Sequence, residues 1–325
     1  MGLSLNKLLA SGNLVENPAV WIHLSKMSAF MKSINFLILT IFIFLVPEPA
    51  EGEKIYSCEK SNTVIGTVKT YRTKAGESLI EIARKFGLGY NEIVDANPAF
   101  DPFVPGNDVT VTIPSSWILP HVRTYEGIVI NLSELRLYYF FKQKRTFKVM
   151  TFPIGTGSEG FDTPVGEFRV FEKIAGPAWY VPESIRKEKP DLPRVMPPGP
   201  DNPLGSHALR LSLKTILIHG TNKPWGVGRG VSHGCIRLYP EDIPKLFRLV
   251  TIGMRVTIVR QPVKMGIRKS NVYVEVHKDG ETKDGDYYKE ALSLLMKQDL
   301  RGNVSTGKLS RAIEKKQGMP VDISK

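Results

Sequence analysis

The sequence predicts a mainly β protein, in which an antiparallel β-sandwich-like domain is preceded by a small α+β domain. Between residues 127 and 153, three short apolar segments are separated by polar turns, as expected for consecutive strands. Residues 70–114 instead follow the order strand, helix, helix, strand. A chain of 325 residues exceeds one ordinary domain and has ample apolar material for two cores.

The composition is that of a globular protein, with 42% hydrophobic and 23% charged residues. The net charge is +12, and the three lysines and three glutamates of residues 1–52 cancel, so the excess lies downstream. A basic domain suits an anionic partner such as a cell-wall polymer or membrane headgroups. Nucleic acid is not expected as a partner, because the sequence has no nucleic-acid recognition motif or aromatic platform.

Residues 1–52 are predicted to be an export signal or an N-terminal anchor. The run Ile34–Val46 contains no charge and is too short to span a bilayer comfortably, but it matches the apolar core of a secretory signal. Small residues at the positions a signal peptidase reads predict cleavage before Glu53. Met27 or Met31 is an alternative start, and an uncleaved anchor is the alternative outcome.

Residues 70–114 are predicted to form the α+β domain in the order βααβ. Ser78 starts a helix whose apolar residues recur at helical spacing until Gly87, and a second helix over residues 90–96 stops at Asn97-Pro98. The domain resembles a LysM module at four short motifs: Ala75-Gly76-Glu77-Ser78-Leu79, Ile82-Ala83, Ala96-Asn97-Pro98 and Pro105-Gly106. The resemblance implies binding to peptidoglycan glycan strands. A spacer of the same fold without a ligand is the alternative.

Residues 115–120 are predicted to be a short linker, followed by a second domain over residues 122–260. Its first strands give way at residues 174–205 to a proline-rich stretch, which we expect to be an ordered loop or lid over the sheet. Trp179 and Tyr180 in this stretch either line a substrate groove or anchor the loop. Later strands lead to His219, a helix follows Pro240, and a strand ending at Arg260 closes the sheet. Residues 261–325 are expected to be an extension that ends in a helix and a mobile tail.

Two of the six histidines and one of the two cysteines lie between residues 219 and 237. A thiol becomes a strong nucleophile when an imidazole accepts its proton, so Cys235 near His219 and His233 indicates acyl transfer. Gly234 lets the backbone approach a substrate carbonyl, where N–H groups can stabilise an oxyanion. Both thiols are expected to be free, because a disulfide would block Cys235. The alternatives are a structural cysteine and a zinc site formed by the same three side chains.

This segment closely resembles the signature of the YkuD-type L,D-transpeptidases, a histidine-glycine pair followed by Ser-His-Gly-Cys. The matching residues are His219-Gly220 and Ser232-His233-Gly234-Cys235. The continuation Ile236-Arg237-Leu238 is similar to the periplasmic ErfK/YbiS branch, and residues 152–157 and 163–168 extend the resemblance. No metal, nucleotide or redox cofactor is implied.

The resemblance implies a role for each candidate site residue. Cys235 would be the nucleophile and His219 the general base, oriented by the carbonyl of Gly220. His233 would complete the site, and the N–H groups of Gly234 and Cys235 would bind the oxyanion. Arg237 is expected to bind a substrate carboxylate or to form a structural ion pair. The further candidates for substrate binding are Ser232, Asn222 and Trp179.

The implied substrate is a peptidoglycan tetrapeptide stem, cut between diaminopimelate and the terminal D-alanine to give a thioester. The acceptor is another diaminopimelate side chain, a lysine of an outer-membrane lipoprotein, a free D-amino acid or water. The expected location is the periplasm or cell envelope. Two other functions remain open: a cysteine peptidase that hydrolyses wall peptides, and a wall-binding protein without activity.

Overall fold

The computed structural model describes residues 54–59, 61–157, 162–213, 215–232 and 234–325. The predicted export signal and His233 lie outside these residues. The sheet that carries the candidate site and the apolar core beneath it come mostly from residues 127–259. None of the helices in the described ranges has the length and apolar content that a membrane crossing requires.

The predicted strand-helix-helix-strand order of the N-terminal region is present. Its elements are β1 Ile55–Cys58, β2 Val64–Gly66, β3 Lys69–Arg72, α1 Leu79–Lys85, α2 Tyr90–Ala96, β4 Thr110–Ile113 and β5 Ser116–Ile118. Strands β3 and β4 pair antiparallel, and the two helices lie between them in the sequence. Helix α1 begins at a capping box, in which the hydroxyl of Ser78 accepts from the N–H of Glu81 and the Glu81 carboxylate accepts from the N–H of Ser78.

The segment predicted as a linker is instead a buried strand, so that prediction was wrong. All three residues of β5 are buried, and the strand pairs antiparallel with β2. The indole N–H of Trp117 donates to the carboxylate of Glu92 at 2.8 Å. This apolar run lies between two parts of the fold and its backbone is hydrogen-bonded, which removes the freedom of a linker.

The second domain is built on a curled nine-stranded sheet. Its elements are β6 Gly127–Asn131, β7 Arg136–Gln143, β8 Thr146–Pro153, β9 Thr156–Gly157, β10 Gly166–Ala175, β11 Trp179–Tyr180, α3 Glu183–Glu188, β12 Val195–Met196, β13 His207–Leu211, β14 Leu217–His219, β15 Gly230–Ser232, β16 Ile236–Arg237, α4 Ile243–Leu249 and β17 Arg255–Val259. The strand order is β1-β8-β7-β6-β17-β10-β13-β14-β16. The mainly β prediction is confirmed, although two pairs within this sheet, β6 with β17 and β14 with β16, run parallel, as does the separate pair of β9 with β15.

One face of this sheet packs against helix α4 and forms the main apolar core. Ile243 and Leu246 on the helix, and Val250 directly after it, are fully buried in a cluster with the inward residues of the strands. Ile243 and Leu246 follow the i, i+3 spacing of a single helix face. The core therefore fixes the strands that carry the candidate catalytic residues.

The proline-rich stretch is ordered, as predicted. It forms the hairpin of β11 and β12, with helix α3 between the two strands. The side chain of Asn202 joins the two ends of this hairpin by hydrogen bonds. The side chain of Asn202 is fully buried and its amide donates to the carbonyls of Pro177, Met196 and Pro197 at 2.9 to 3.3 Å. These contacts replace the regular backbone pairing that prolines prevent.

The C-terminal residues fold completely, so the predicted mobile tail was wrong. The elements are β18 Val263–Arg268, β19 Asn271–Val276, α5 Asp284–Lys297, α6 Thr306–Lys315 and β20 Val321–Asp322. They form a three-stranded sheet covered by two helices with a separate apolar core. The ammonium of Lys264, fully buried, lies 2.7 Å from Glu134 and 3.1 Å from Glu275 and joins this extension to the second domain.

Candidate active site

The strand that ends in His219 pairs with the strand that directly follows Cys235. Strands β14 and β16 pair in parallel, with Ile218 opposite Ile236 and His219 opposite Arg237. The two isoleucines are fully buried in the core. Because side chains alternate along a strand, His219 and Arg237 lie on the opposite face. Cys235 directly precedes strand β16.

His219 is buried and its imidazole is held by the chain that follows it. Its Nδ1 atom lies 2.6 Å from the carbonyl oxygen of Gly220, as the family resemblance implied. A carbonyl only accepts, so Nδ1 carries the proton of the neutral ring and Nε2 has the free lone pair. The pKa of His219 is lowered to about 4, mainly by burial and also by the charge of Arg237, against the opposite effect of the carbonyls of Gly220 and Leu204. The ring is therefore neutral at pH 7.

Cys235 is half-buried and free, and Cys58 is free as well. Burial raises the pKa of the Cys235 thiol, against a hydrogen bond from the Leu217 backbone and the charges of Arg237 and Arg210. The thiol donates weakly to the carbonyl of Thr215, with 3.7 Å between sulfur and oxygen. The resting side chain is thus a thiol, which needs a base before it can attack a carbonyl.

The backbone around the thiol is fixed by two hydroxyl groups. Gly234 has φ of +91°, a conformation that a side chain would make costly. Thr163 donates to the carbonyl of Gly234 at 3.0 Å, and Ser232 donates to the carbonyl of Cys235 at 2.5 Å. Because a trans peptide group is planar, fixing the Gly234 carbonyl also fixes the direction of the Cys235 N–H on its opposite side.

A turn of the proline-rich stretch packs closely against the segment His219-Gly220. Gly205 has φ of +67°, and a Cβ atom there would lie 2.8 Å from the Thr221 nitrogen and 2.9 Å from the Gly220 carbonyl carbon. The Oδ1 atom of Asn202 accepts from the N–H of Leu204 at 2.9 Å and holds the turn. The turn therefore supports the segment His219-Gly220.

The predicted substrate-binding residues have different surroundings. Arg237 is half-buried, and its Nε has no hydrogen-bond partner among the described residues. Asn222 is exposed, and its amide donates to the carbonyl of Asp201 at 2.7 Å, which ties the base segment to the proline-rich stretch. Trp179 is half-buried and pairs with Met196 in the hairpin. Ser232 is buried against Cys235, as described above.

Among the described residues, the group whose ligand atoms lie close enough to hold a metal ion is Glu134, Glu275 and His277. The ammonium of Lys264 already occupies the space between the two carboxylates, and His277 Nε2 lies 2.6 Å from Glu275. This cluster is an internally paired ion network that joins the C-terminal extension to the sheet.

Similarity to known proteins identifies the family. Residues 126–258 match the family model YkuD, described as the L,D-transpeptidase catalytic domain. The chain is 36% identical over 290 residues to "Probable L,D-transpeptidase YbiS" of Escherichia coli K12, an alignment that covers 86% of this chain and 91% of that protein. The chain belongs to the L,D-transpeptidase family. This transpeptidase is also 38% identical to "Probable L,D-transpeptidase YcfS" of the same strain, over 85% of this chain and 87% of that protein.

The similarity of the transpeptidase to its relatives extends well beyond the catalytic domain. "Probable L,D-transpeptidase ErfK/SrfK" of Salmonella typhimurium LT2 is 34% identical over 290 residues, which cover 86% of this chain and 90% of that protein. The NMR structure of the catalytic domain from E. faecium L,D-transpeptidase matches 43% of this chain and 99% of that chain at 20% identity, with a TM-score of 0.32. The resemblance to the ErfK/YbiS branch is confirmed.

Sequence reasoning did not identify two groups that hold the catalytic segment of the transpeptidase. Thr163 lies 71 residues before Gly234, and the turn at Asn202 to Gly205 lies in a stretch that was expected only to cover the sheet. Thr163 lies in a motif shared with the family, and this was the signal in the sequence that could have identified it. The partner that its hydroxyl contacts depends on how the sheet curls.

Proposed function

We propose that the protein is a peptidoglycan L,D-transpeptidase that works through a thioester on Cys235. The donor is a tetrapeptide stem, cleaved between diaminopimelate and the terminal D-alanine, and the acyl group passes to an amine. The observation that carries this proposal is that the strand ending in His219 pairs with the strand directly after Cys235, while Nδ1 of His219 is bound to the Gly220 carbonyl. That arrangement leaves Nε2 as the proton acceptor.

The first half-reaction starts from a neutral thiol and a neutral imidazole. As Sγ of Cys235 attacks the donor carbonyl, its proton moves to Nε2 of His219 and the carbonyl oxygen becomes an oxyanion. The N–H groups of Gly234 and Cys235 are the candidate donors to that oxygen. The C–N bond then breaks, D-alanine leaves with the proton from His219, and the acyl group remains on sulfur.

In the second half-reaction an amine attacks the thioester and gives a proton to His219. The C–S bond breaks, and the sulfur recovers the proton from the imidazolium. The acceptor is another diaminopimelate side chain, a lysine of an outer-membrane lipoprotein or a free D-amino acid. Water in the same position gives hydrolysis, so transfer requires that the amine outcompetes water at the thioester.

Arg237 is proposed to bind a carboxylate of the donor stem. It stands opposite His219 in the register, and its charge lowers the pKa of both His219 and Cys235. Its buried Nε lacks a partner among the described side chains, which favours a ligand for the guanidinium when substrate is bound. A guanidinium can bind a carboxylate through two parallel hydrogen bonds.

Residues 1–52 are proposed to direct export to the periplasm. The N-terminal βααβ region is proposed to bind glycan strands. The loop between α2 and β4 carries Phe103, which is 61% exposed and available to stack on a sugar ring. We expect the full chain with Cys235→Ala to pellet with purified sacculi and Phe103→Ser in that background to pellet less. Equal pelleting of both would show that Phe103 takes no part in glycan binding.

The reaction type is tested with purified disaccharide-tetrapeptide and a labelled D-amino acid. We expect a labelled product in which the label replaces the terminal D-alanine, formed by the protein and by Cys58→Ala but not by Cys235→Ala. Cys58 is a matched control because it is buried and burial raises its pKa to about 12. Release of D-alanine without label incorporation would identify a peptidase instead.

A further inference from the structure

Helix α2 of the N-terminal region rests on the loop that joins His219 to Cys235. The backbone N–H groups of Tyr90 and Asn91 donate to the carbonyls of Val227 and Gly228, at 3.2 and 3.3 Å. These N–H groups open the helix and have no acceptor within it. The loop therefore supplies hydrogen bonds that the helix cannot make for itself.

The contact is so close that the start of the helix and the loop both need glycine. Gly228 has φ of +82°, and a Cβ atom there would collide with the Tyr90 nitrogen and lie 2.7 Å from the Cα of Gly89. A Cβ atom on Gly89 would in turn lie 2.8 Å from the Cα of Gly228. No side chain fits on either residue without moving the helix and the loop apart.

On its other side, the same loop is bonded to the segment 154–156. Gly228 donates to the carbonyl of Ile154 at 2.9 Å, and Thr156 donates to the carbonyl of Arg229 at 3.1 Å. Gly155 in turn exchanges two backbone hydrogen bonds with Arg237, at 2.8 and 2.9 Å. A displacement of the loop would therefore also displace Arg237, two residues after Cys235.

The N-terminal region also contacts the chain that follows the nucleophile. Tyr239 donates its hydroxyl proton to the carbonyl of Leu88 at 3.1 Å. The guanidinium of Arg84 on helix α1 donates two bonds of 2.8 Å to the carboxylate of Glu241. The region thus holds the chain both before and after Cys235.

We propose that the N-terminal region, residues 69–113, is a positioning element of the transpeptidase site, acting through Gly228 before Cys235 and through Glu241 after it. It is held against the second domain by the buried pair of Glu92 and Arg136, whose atoms approach to 2.6 Å. The inference rests on the proposed function. It gives the region a part in acylation that is separate from glycan binding.

The first test compares Gly228→Ala with Gly253→Ala in the full chain. Gly253 has φ of +86° and nothing within 4 Å of its would-be Cβ, so it carries the same backbone cost without a collision. For Gly228→Ala we expect kcat for acylation of Cys235 by a tetrapeptide to fall by about tenfold to a hundredfold with KM little changed. The pH profile of Cys235 alkylation by iodoacetamide should also shift. Gly253→Ala should retain both.

The second test exchanges the charges of the ion pair between Arg84 and Glu241. Arg84→Glu should slow acylation, and Arg84→Glu combined with Glu241→Arg should restore it, with circular dichroism confirming the fold of each variant. This series decides the question if Gly228→Ala does not fold. Wild-type rates in folded Gly228→Ala or in Arg84→Glu would overturn the inference. A wild-type protein that is not acylated would instead refute the proposed function.

Discussion

The imidazole of His219 donates from Nδ1 to the carbonyl oxygen of Gly220 over 2.6 Å, within a site where burial lowers the pKa of His219 to about 4. The hydrogen bond fixes which nitrogen is free, and burial keeps that nitrogen unprotonated near neutral pH. Burial raises the pKa of the Cys235 thiol at the same time. Both partners are thus neutral until substrate arrives, and the proton moves during attack.

The acid limit of the reaction follows from the lowered pKa of His219. Its base form persists as the pH falls until the folded pKa is reached, so kcat/KM for acylation should stay nearly constant between about pH 7 and pH 5 and fall with an inflection near 4. An ordinary histidine would give an inflection near 6.5. Acylation rates across this range check the prediction, and an inflection near the ordinary value would contradict it.

Replacing Arg237 tests both its charge and its proposed contact with substrate. Arg237→Gln removes a positive charge that lowers both pKa values, so the acid inflection of acylation and the midpoint of Cys235 alkylation should both move to higher pH. The KM of a tetrapeptide donor should rise by about tenfold through loss of a charge-assisted hydrogen bond. Arg237→Lys keeps the charge and should keep the two pH midpoints. Unchanged midpoints in Arg237→Gln would refute the electrostatic account.

The hydroxyl of Thr163 is expected to contribute to kcat, because it holds the carbonyl of Gly234. Thr163→Val keeps the shape and removes one hydrogen bond, whose loss of about 1 kcal/mol corresponds to roughly a fivefold lower acylation rate. Thr163→Ser retains the hydroxyl and should retain most of the rate. If valine and serine behave alike in steady-state acylation, the hydroxyl has no part in positioning Cys235.

The buried pair of Glu92 and Arg136 should dominate the stability of the junction between the N-terminal region and the sheet. Glu92→Gln leaves the Arg136 charge in an environment with no exposed surface, and we expect a loss of about 3–5 kcal/mol in the free energy of unfolding by urea. Asp108→Asn removes the exposed ion pair with Arg72 and should cost less than about 1 kcal/mol. Asparagine also tolerates the left-handed backbone at position 108, where φ is +60°. Equal losses in the two variants would contradict this ranking.

Local patterns in the sequence were sufficient for most elements of the fold. The spacing of Leu79, Ile82 and Ala83 predicted helix α1, and alternation predicted the strands on both sides of the proline-rich stretch. The family motif was the basis for predicting that His219 and Cys235 act together, and that pairing stays a prediction. These features depend on residues close together in the chain.

The features that were missed depend on distant residues. Gly89 and Gly228 meet only in the folded chain, and a glycine carries no side chain to signal a contact. Strand β20 pairs with β19 across a separation of nearly fifty residues, so its two residues resemble a loose end in the sequence. Strand β5 was mistaken for a linker because its hydrogen bonds go to β2, far earlier in the chain.

The most direct test of the account is the mass of the protein after brief incubation with a tetrapeptide donor and rapid acid quenching. We predict an increase equal to the donor less one D-alanine, located by peptide mapping on Cys235 and missing from Cys235→Ala and His219→Ala. An unmodified thiol after donor turnover, or an adduct on any other residue, would contradict it.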